Sequence, residues 1–218
     1  MEANLILVSL LSYILGSIPF SYLVAKLYGK NLYQVGSGNI GTANVWRATK
    51  RVEALALAFF GDFGKGILAL ILSKKILSQN LFLAQSLAAF FAILGHDFPI
   101  FLKFKGGRGL ATLMGILIYL NWKTIPIALL TVAFFIFLTE ILMKKGINLE
   151  GRAKEKIKKL FNIFISQVLG RMIGIIFSAI LIFVLFPETA KIIFPAAILI
   201  FAKHIKRTKS FLEKKHEI

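Results

Sequence analysis

Apolar runs recur along this chain too closely, and at too great a length, to be packed inside a soluble core: approximately residues 4–27, 52–72, 81–102, 110–121, 124–143, 172–186 and 190–202. With 57% hydrophobic residues, 21 Phe and a mean hydropathy of +0.78 over 218 residues, the chain reads as several bilayer-spanning helices. A span needs roughly 20 residues, so the shorter runs at 110–121, 172–186 and 190–202 must begin in the headgroup layer or cross a thinned region. The expectation is an all-α integral membrane protein of about seven transmembrane helices, folded as a single polytopic domain over residues 1–218. No polar segment is long enough to form a second domain.

The basic residues give an independent reading of topology, because the connections alternate in charge. Lys26, Lys30, Arg47, Lys50 and Arg51 fall in the first connection, and Lys103, Lys105 and Arg108 in the third. Eight more lie between Lys144 and Arg171, and six between Lys203 and Lys215. The alternate connections hold only Lys74, Lys75, Lys123 and Lys191. By the positive-inside rule the odd connections and the C-terminus are cytoplasmic and the N-terminus is outside.

The first run resembles a signal peptide only superficially, since no basic residue precedes Leu5 and no small-residue cleavage site follows. Gly16-Ser17-Ile18-Pro19 instead predicts a helix break whose freed carbonyls face protein or a polar cavity. The Lys-rich stretch 144–159 reads equally as an interfacial amphipathic helix on anionic lipid or as a solvated loop that enforces topology. The absence of Cys excludes disulfides, thiolate zinc sites and a cysteine nucleophile.

Three polar clusters fall on the cytoplasmic side. The first is a glycine-rich loop, Gly36-Ser37-Gly38-Asn39-Ile40-Gly41-Thr42-Ala43-Asn44-Val45-Trp46-Arg47. Its glycines let backbone N–H groups approach an anion, while Ser37, Asn39, Thr42, Asn44 and Arg47 add side-chain donors and a fixed positive charge. The second is Gly95-His96-Asp97-Phe98-Pro99, followed by Gly106-Gly107-Arg108-Gly109 and Thr112 at the start of the fourth span. There the helix N-terminus favours a second anion. The third is Lys203-His204-Ile205-Lys206-Arg207, whose basic neighbours favour a neutral His204 able to accept a proton. Together they suggest one composite site.

Duller readings compete with each. Gly36–Gly41 matches G-x-G-x-x-G, but no βαβ unit precedes it and a dinucleotide fold is rejected. Glycine pairs at membrane turns are often only tight helix connections, and His96 at a span end is more often packed than catalytic. Asp62 and Lys65, at i and i+3 inside the second span, read first as a structural buried pair and second as a Lys65 substrate contact. No P-loop, G-x-S-x-G, H-E-x-x-H or acidic magnesium cluster is present.

These residues resemble those of the bacterial acyl-phosphate-dependent glycerol-3-phosphate acyltransferases, PlsY type, over nearly the whole chain. Gly36-Ser37-Gly38-Asn39-x-Gly41 with Asn44 and Arg47 looks like the first motif of that family, with Asp62-x-x-Lys65-Gly66 after it. Gly95-His96-x-x-Pro99 with Phe104-x-Gly106-Gly107-Arg108-Gly109-x-Ala111-Thr112 looks like the second. Thr42-Ala43 stands where the family usually has Ala-Thr, Arg108 where it has Lys, and Arg207 where the third motif has Asn after the matching His204.

The resemblance implies a seven-helix fold in the inner (plasma) membrane with a cytoplasmic active site, and transfer of a fatty acyl group from acyl phosphate to glycerol 3-phosphate as a step of phospholipid biosynthesis. Ser37, Arg47 and His204 are then the candidate catalytic residues, and the glycines of both loops, Asn39, Thr42, Asn44, Lys65, His96, Arg108 and Thr112 the candidate substrate contacts. Neither metal nor cofactor nor nucleic acid is expected; the partners are the two substrates and membrane lipids, with oligomeric state left open. The alternative is a non-enzymatic organic-anion carrier or a catalytically inactive lipid-binding relative.

Overall fold

The computed structural model describes residues 2–142, 155–156, 160 and 169–216, with residue 169 and residues 206–216 described by backbone alone. Among the described residues the chain is helical without strands: α1 (Glu2–Ser17), α2 (Phe20–Leu27), α3 (Thr42–Thr49), α4 (Val52–Ile76), α5 (Leu81–Asp97), a 3₁₀ turn (Ile100–Leu102), α6 (Leu110–Asn121), α7 (Thr124–Leu142), α8 (Leu169–Leu185) and α9 (Pro187–His216). Among the described residues four stretches are long and apolar enough to cross a membrane, Glu2–Leu27, Val52–Ile76, Leu81–Leu102 and Thr124–Leu142; Leu110–Asn121 and Gly170–Leu185 are shorter apolar helices.

The expected break in the first span lies between α1 and α2, at Ile18 and Pro19. The Ile18 carbonyl, freed by the break, accepts a hydrogen bond from Lys65 Nζ at 2.8 Å, so its polar demand is met by protein. Several expected boundaries move. The second span continues to Ile76, and the last helix runs from Pro187 well past 202. The third span stops as an α-helix at Asp97, because Pro99 biases Phe98 away from helical dihedrals (φ −134, ψ 63). The expected loop 36–47 is loop only as far as Gly41, after which Thr42 opens α3. The basic stretch 144–159 lies outside the described residues, apart from 155 and 156.

The described chain forms two compact units, Met1–Trp122 with Lys191–Ile205, and Lys123–Ala190 with Lys206–Ile218. In the first, helices meet through small residues. A Cβ on Gly16 would run into the Ala92 backbone and one on Gly95 into the backbone of Tyr13 and Ser17, so α1 and α5 touch main chain to main chain. Gly66 against Thr112 and Gly115 against Phe63 do the same for α4 and α6. Val24, Ala25, Leu32, Ile40, Val45, Ala54 and Ala58 form a buried cluster under the first glycine loop, anchoring both of its ends.

In the second unit α7 packs on α8 through Gly170 and Gly174, with the Phe135 and Phe177 rings 4.5 Å apart. Both units leave large apolar side chains uncovered, among them Phe60 (65% exposed) in the first and Leu130 (71%) in the second. So wide an apolar exterior is suited to lipid rather than water.

Candidate active site

The first glycine turn is built by local means. Gly36 (φ 61) and Gly38 (φ 67) occupy the left-handed region that a side chain would strain. Asn44, buried on α3, clasps the turn: its Oδ1 accepts from Ser37 N at 2.9 Å, and its Nδ2 donates to the carbonyls of Leu32 (3.0 Å) and Val35 (2.9 Å). Gly38 N donates to Val35 O. The amides of Ser37 and Gly38, expected to face an anion, therefore serve the loop itself. What remains for a ligand is the exposed Ser37 hydroxyl, Asn39 beside Gly41, and the Thr42 and Ala43 amides that open α3, since Asn44 N already donates to Gly41 O at 2.8 Å and the N-cap Gly41 offers no side chain. The Arg47 stem lies against Gly36, and half-burial draws the guanidinium pKa below its usual value while leaving it cationic at neutral pH.

The second turn folds back on the end of α5. Gly107 N donates to His96 O at 3.0 Å. A Cβ on Gly106 would collide with the His96 and Asp97 carbonyls, and one on Gly107 with the His96 ring, so only glycine permits this approach. Gly109 (φ 70) caps α6, which places Arg108 just before its N-terminus and Thr112 in its first turn.

A buried polar thread joins the two turns. Thr42 Oγ1 lies 3.4 Å from Ser21 Oγ, which donates to Asp62 Oδ2 at 2.5 Å. Asp62 Oδ1 is 3.6 Å from His96 Nδ1, itself 3.3 Å from Thr112 Oγ1. Lys65 Nζ sits 2.9 Å from Asp62 Oδ1, an ion pair not aligned as a hydrogen bond, with both side chains 1% exposed. The pair neutralises two charges that would be very costly alone in this interior. Lys65 is thus committed to Asp62 and to Ile18 O.

The third cluster belongs to α9. His204 is buried, with Nδ1 2.8 Å from the Ile200 carbonyl. Lys203 Nζ donates to Asp97 O at 2.9 Å and lies 3.9 Å from the centre of the Phe98 ring. The side chains of Lys206 and Arg207 lie outside the described residues.

The three clusters meet in the first unit. Tyr33 Oη donates to Lys105 O at 2.7 Å, joining the first turn to the second, while Lys203 and the packing of Ile200 near Gly109 join the second to the third. Ser21 and Tyr33 belong to none of the clusters the sequence marks, and Asp97 and Lys203 lie inside the second and third clusters without a role assigned to them there. Asp97 is fully buried, and neither carboxylate oxygen has a hydrogen-bond partner among the described residues; Lys203, Lys65 and Arg108 are the charges acting on it. Among the described residues no group of three His, Asp or Glu is arranged to hold a metal ion.

Comparison with known proteins agrees with this architecture. Residues 6–149 match the family described as glycerol-3-phosphate acyltransferase. A glycerol-3-phosphate acyltransferase of Wolbachia pipientis subsp. Culex pipiens (strain wPip) is 40% identical over 98% of this chain and 96% of its own. One from Carboxydothermus hydrogenoformans is 39% identical over 82% and 87%. The crystal structure of PlsY (YgiH), an integral membrane glycerol 3-phosphate acyltransferase in its glycerol 3-phosphate form, superposes with a TM-score of 0.71 at 25% identity, covering 96% of this chain and 92% of that one. The lysophosphatidic acid form of PlsY has the same fold, also with a TM-score of 0.71. By sequence and by fold, the chain belongs to the glycerol-3-phosphate acyltransferase family.

Proposed function

We propose that this protein transfers a fatty acyl group from an acyl phosphate to the 1-hydroxyl of sn-glycerol 3-phosphate, at the cytoplasmic face of the plasma membrane, releasing lysophosphatidic acid and phosphate. The observation that carries this reading is the pairing of two glycine turns, each with an arginine, through the 2.7 Å bond from Tyr33 to Lys105. The reaction brings together two substrates that each carry a phosphate, so it needs two anion cradles at a fixed separation. An acyl phosphate is a mixed anhydride with a good leaving group. Alignment and charge stabilisation can therefore supply much of the rate enhancement.

Ser37, Arg47 and the start of α3 hold one phosphate; Arg108 and the Gly106–Gly109 turn hold the other. The hydroxyl oxygen bonds to the acyl carbon, the bond from that carbon to the phosphate oxygen breaks, and the hydroxyl proton passes to His204 Nε2. The Ile200 carbonyl can only accept, so it keeps a proton on Nδ1 and, in the neutral ring, the lone pair on Nε2. Neither a metal nor a covalent acyl-enzyme takes part.

Purified protein in detergent, given palmitoyl phosphate and labelled glycerol 3-phosphate in EDTA, should form lysophosphatidic acid. Product that requires Mg²⁺, or that arises from acyl-CoA alone, overturns the reading. His204→Gln should lose turnover while keeping glycerol 3-phosphate affinity, and retained activity with an unchanged pH profile excludes the base role. The charge bias of the connections supports a cytoplasmic C-terminus and an external N-terminus. A reporter after Ile218 and a tag before Asn4 should then label opposite sides, and both on one side would break the composite site.

A further inference from the structure

The segment between α5 and α6 is held in an unfavourable conformation just before the turn that carries Arg108. Lys103 (φ 50) and Phe104 (φ 62) are consecutive non-glycine residues in the left-handed region. Such residues persist only where the surroundings over-determine them, and they cluster at functional sites. Backbone bonds from Phe104 N to Pro99 O (3.0 Å) and from Lys105 N to Leu102 O (3.1 Å) fix the strained residues within their own loop. The link from this loop to the first glycine turn is the Tyr33 hydroxyl, 2.7 Å from the Lys105 carbonyl.

Where that bond falls matters. The Lys105 carbonyl and the Gly106 N–H belong to one planar peptide, so holding the first fixes the direction of the second. Gly106 opens the anion turn that leads to α6. Tyr33 stands three positions before Gly36, and its own N–H donates to Asn31 Oδ1 at 3.1 Å, which orients its backbone. Its ring lies 5.8 Å from that of Tyr22, tilted by 48°. Burial, and secondarily Tyr22, push the phenol above its usual pKa, so the hydroxyl remains a donor across the neutral range.

We propose that Tyr33 is a positioning residue that sets the distance and register between the two substrate-phosphate cradles, through its hydrogen bond to the Lys105 carbonyl. It touches neither substrate. The proposal rests on the reading that both turns bind substrate anions. With the tie gone, each cradle still binds its own phosphate, but the two are less often in register for transfer. The loss should therefore appear in the reacting geometry and not in the binding of either substrate.

The experiment is steady-state kinetics in detergent with palmitoyl phosphate and glycerol 3-phosphate, together with thermal unfolding, on wild type, Tyr33→Phe, Asn31→Ala and Tyr22→Phe. Tyr33→Phe removes only a hydroxyl. It should lower kcat about five- to tenfold, with both KM values within twofold and the melting temperature lowered by no more than the loss of one exposed hydrogen bond accounts for. Asn31→Ala keeps the phenol but loosens its backbone; it should show the same kcat-only loss, about two- to threefold, and it carries the test should Tyr33→Phe fail to fold. Tyr22→Phe, which keeps the aromatic neighbour, should match wild type. Wild-type kcat in both Tyr33→Phe and Asn31→Ala overturns the proposal while leaving the two-cradle reading intact, and so does a rise in one KM alone. A wild-type protein that binds neither substrate and forms no product overturns the reading beneath, and the proposal with it.

Discussion

The two glycine turns proposed to hold the substrate phosphates draw their support from different parts of the chain. The first is clasped by one side chain, Asn44, through bonds that span 7, 9 and 12 residues. The second is held by Tyr13 on Phe98 O, Tyr33 on Lys105 O and Lys203 on Asp97 O, across 85, 72 and 106 residues. The first places glycine at its left-handed positions, whereas the approach to the second forces Lys103 and Phe104 there. Left-handed dihedrals cost roughly 1–2 kcal/mol for each non-glycine residue. Backbone bonds within the loop fix these dihedrals, and the ties from α1, the first turn and α9 help to offset their cost, so the second turn depends on the assembled bundle as well as on its own loop.

The sharpest test of the comparison is whether the turns hold different phosphates. Arg47→Ala and Arg108→Ala should each lower kcat/KM by about 10²–10³, the 2–4 kcal/mol typical of a charge-assisted contact made in the transition state. One variant should raise the KM for glycerol 3-phosphate and the other that for the acyl phosphate. Should both raise the same KM, the two cradles are one site; near-normal kcat/KM in both removes the phosphate role altogether.

Asn44→Ala tests the local clasp. It strands two carbonyls and the Ser37 amide, and the buried members of that set cost about 2–3 kcal/mol in stability. Hydrogen exchange should accelerate across residues 32–38 and stay unchanged across 103–109. Equal acceleration in both would mean that the first turn is not an independent local unit.

Lys203→Met should act in the reverse sense. It keeps an apolar stem near Phe98 but removes a charged donor from Asp97 O, at a cost of about 1.5 kcal/mol. Exchange should rise at 103–109 and not at 32–38.

The same contrast decides what could be read from sequence. Gly36 and Gly38 were legible because a left-handed turn demands glycine, and the break at Pro19 because proline cannot continue a helix. Asp62 and Lys65 were legible as a pair because three residues of helix bring them to one face. The ties of the second turn were not, since their acceptors are backbone carbonyls, which every residue carries and no motif marks. Ser21 was missed for a related reason: a lone serine in an apolar run has no partner until Asp62, 41 residues on, is packed against it. The start of α3 at Thr42 was hidden because its N-cap Gly41 carries no capping side chain and Thr42, Asn44 and Val45 around Ala43 are weak helix formers.

The smallest expected effect bears most directly on how the second turn is shared among its supports. Tyr13→Phe removes one exposed hydrogen bond, 2.8 Å to Phe98 O, and should cost about 0.5–1 kcal/mol with activity within a few-fold of wild type. Phe98 O and Asp97 O belong to adjacent residues, so Tyr13 and Lys203 grip the same short stretch from α1 and α9. If they act as independent pegs, Tyr13→Phe combined with Lys203→Met should cost the sum of the single variants within about 0.5 kcal/mol. If the stretch is a single strained unit that releases once either peg is lost, the second substitution costs almost nothing further. The double variant's melting temperature and its exchange at 103–109 separate these outcomes. Only additive pegs fit a turn whose geometry is distributed over the whole bundle, in contrast to the single clasp of Asn44.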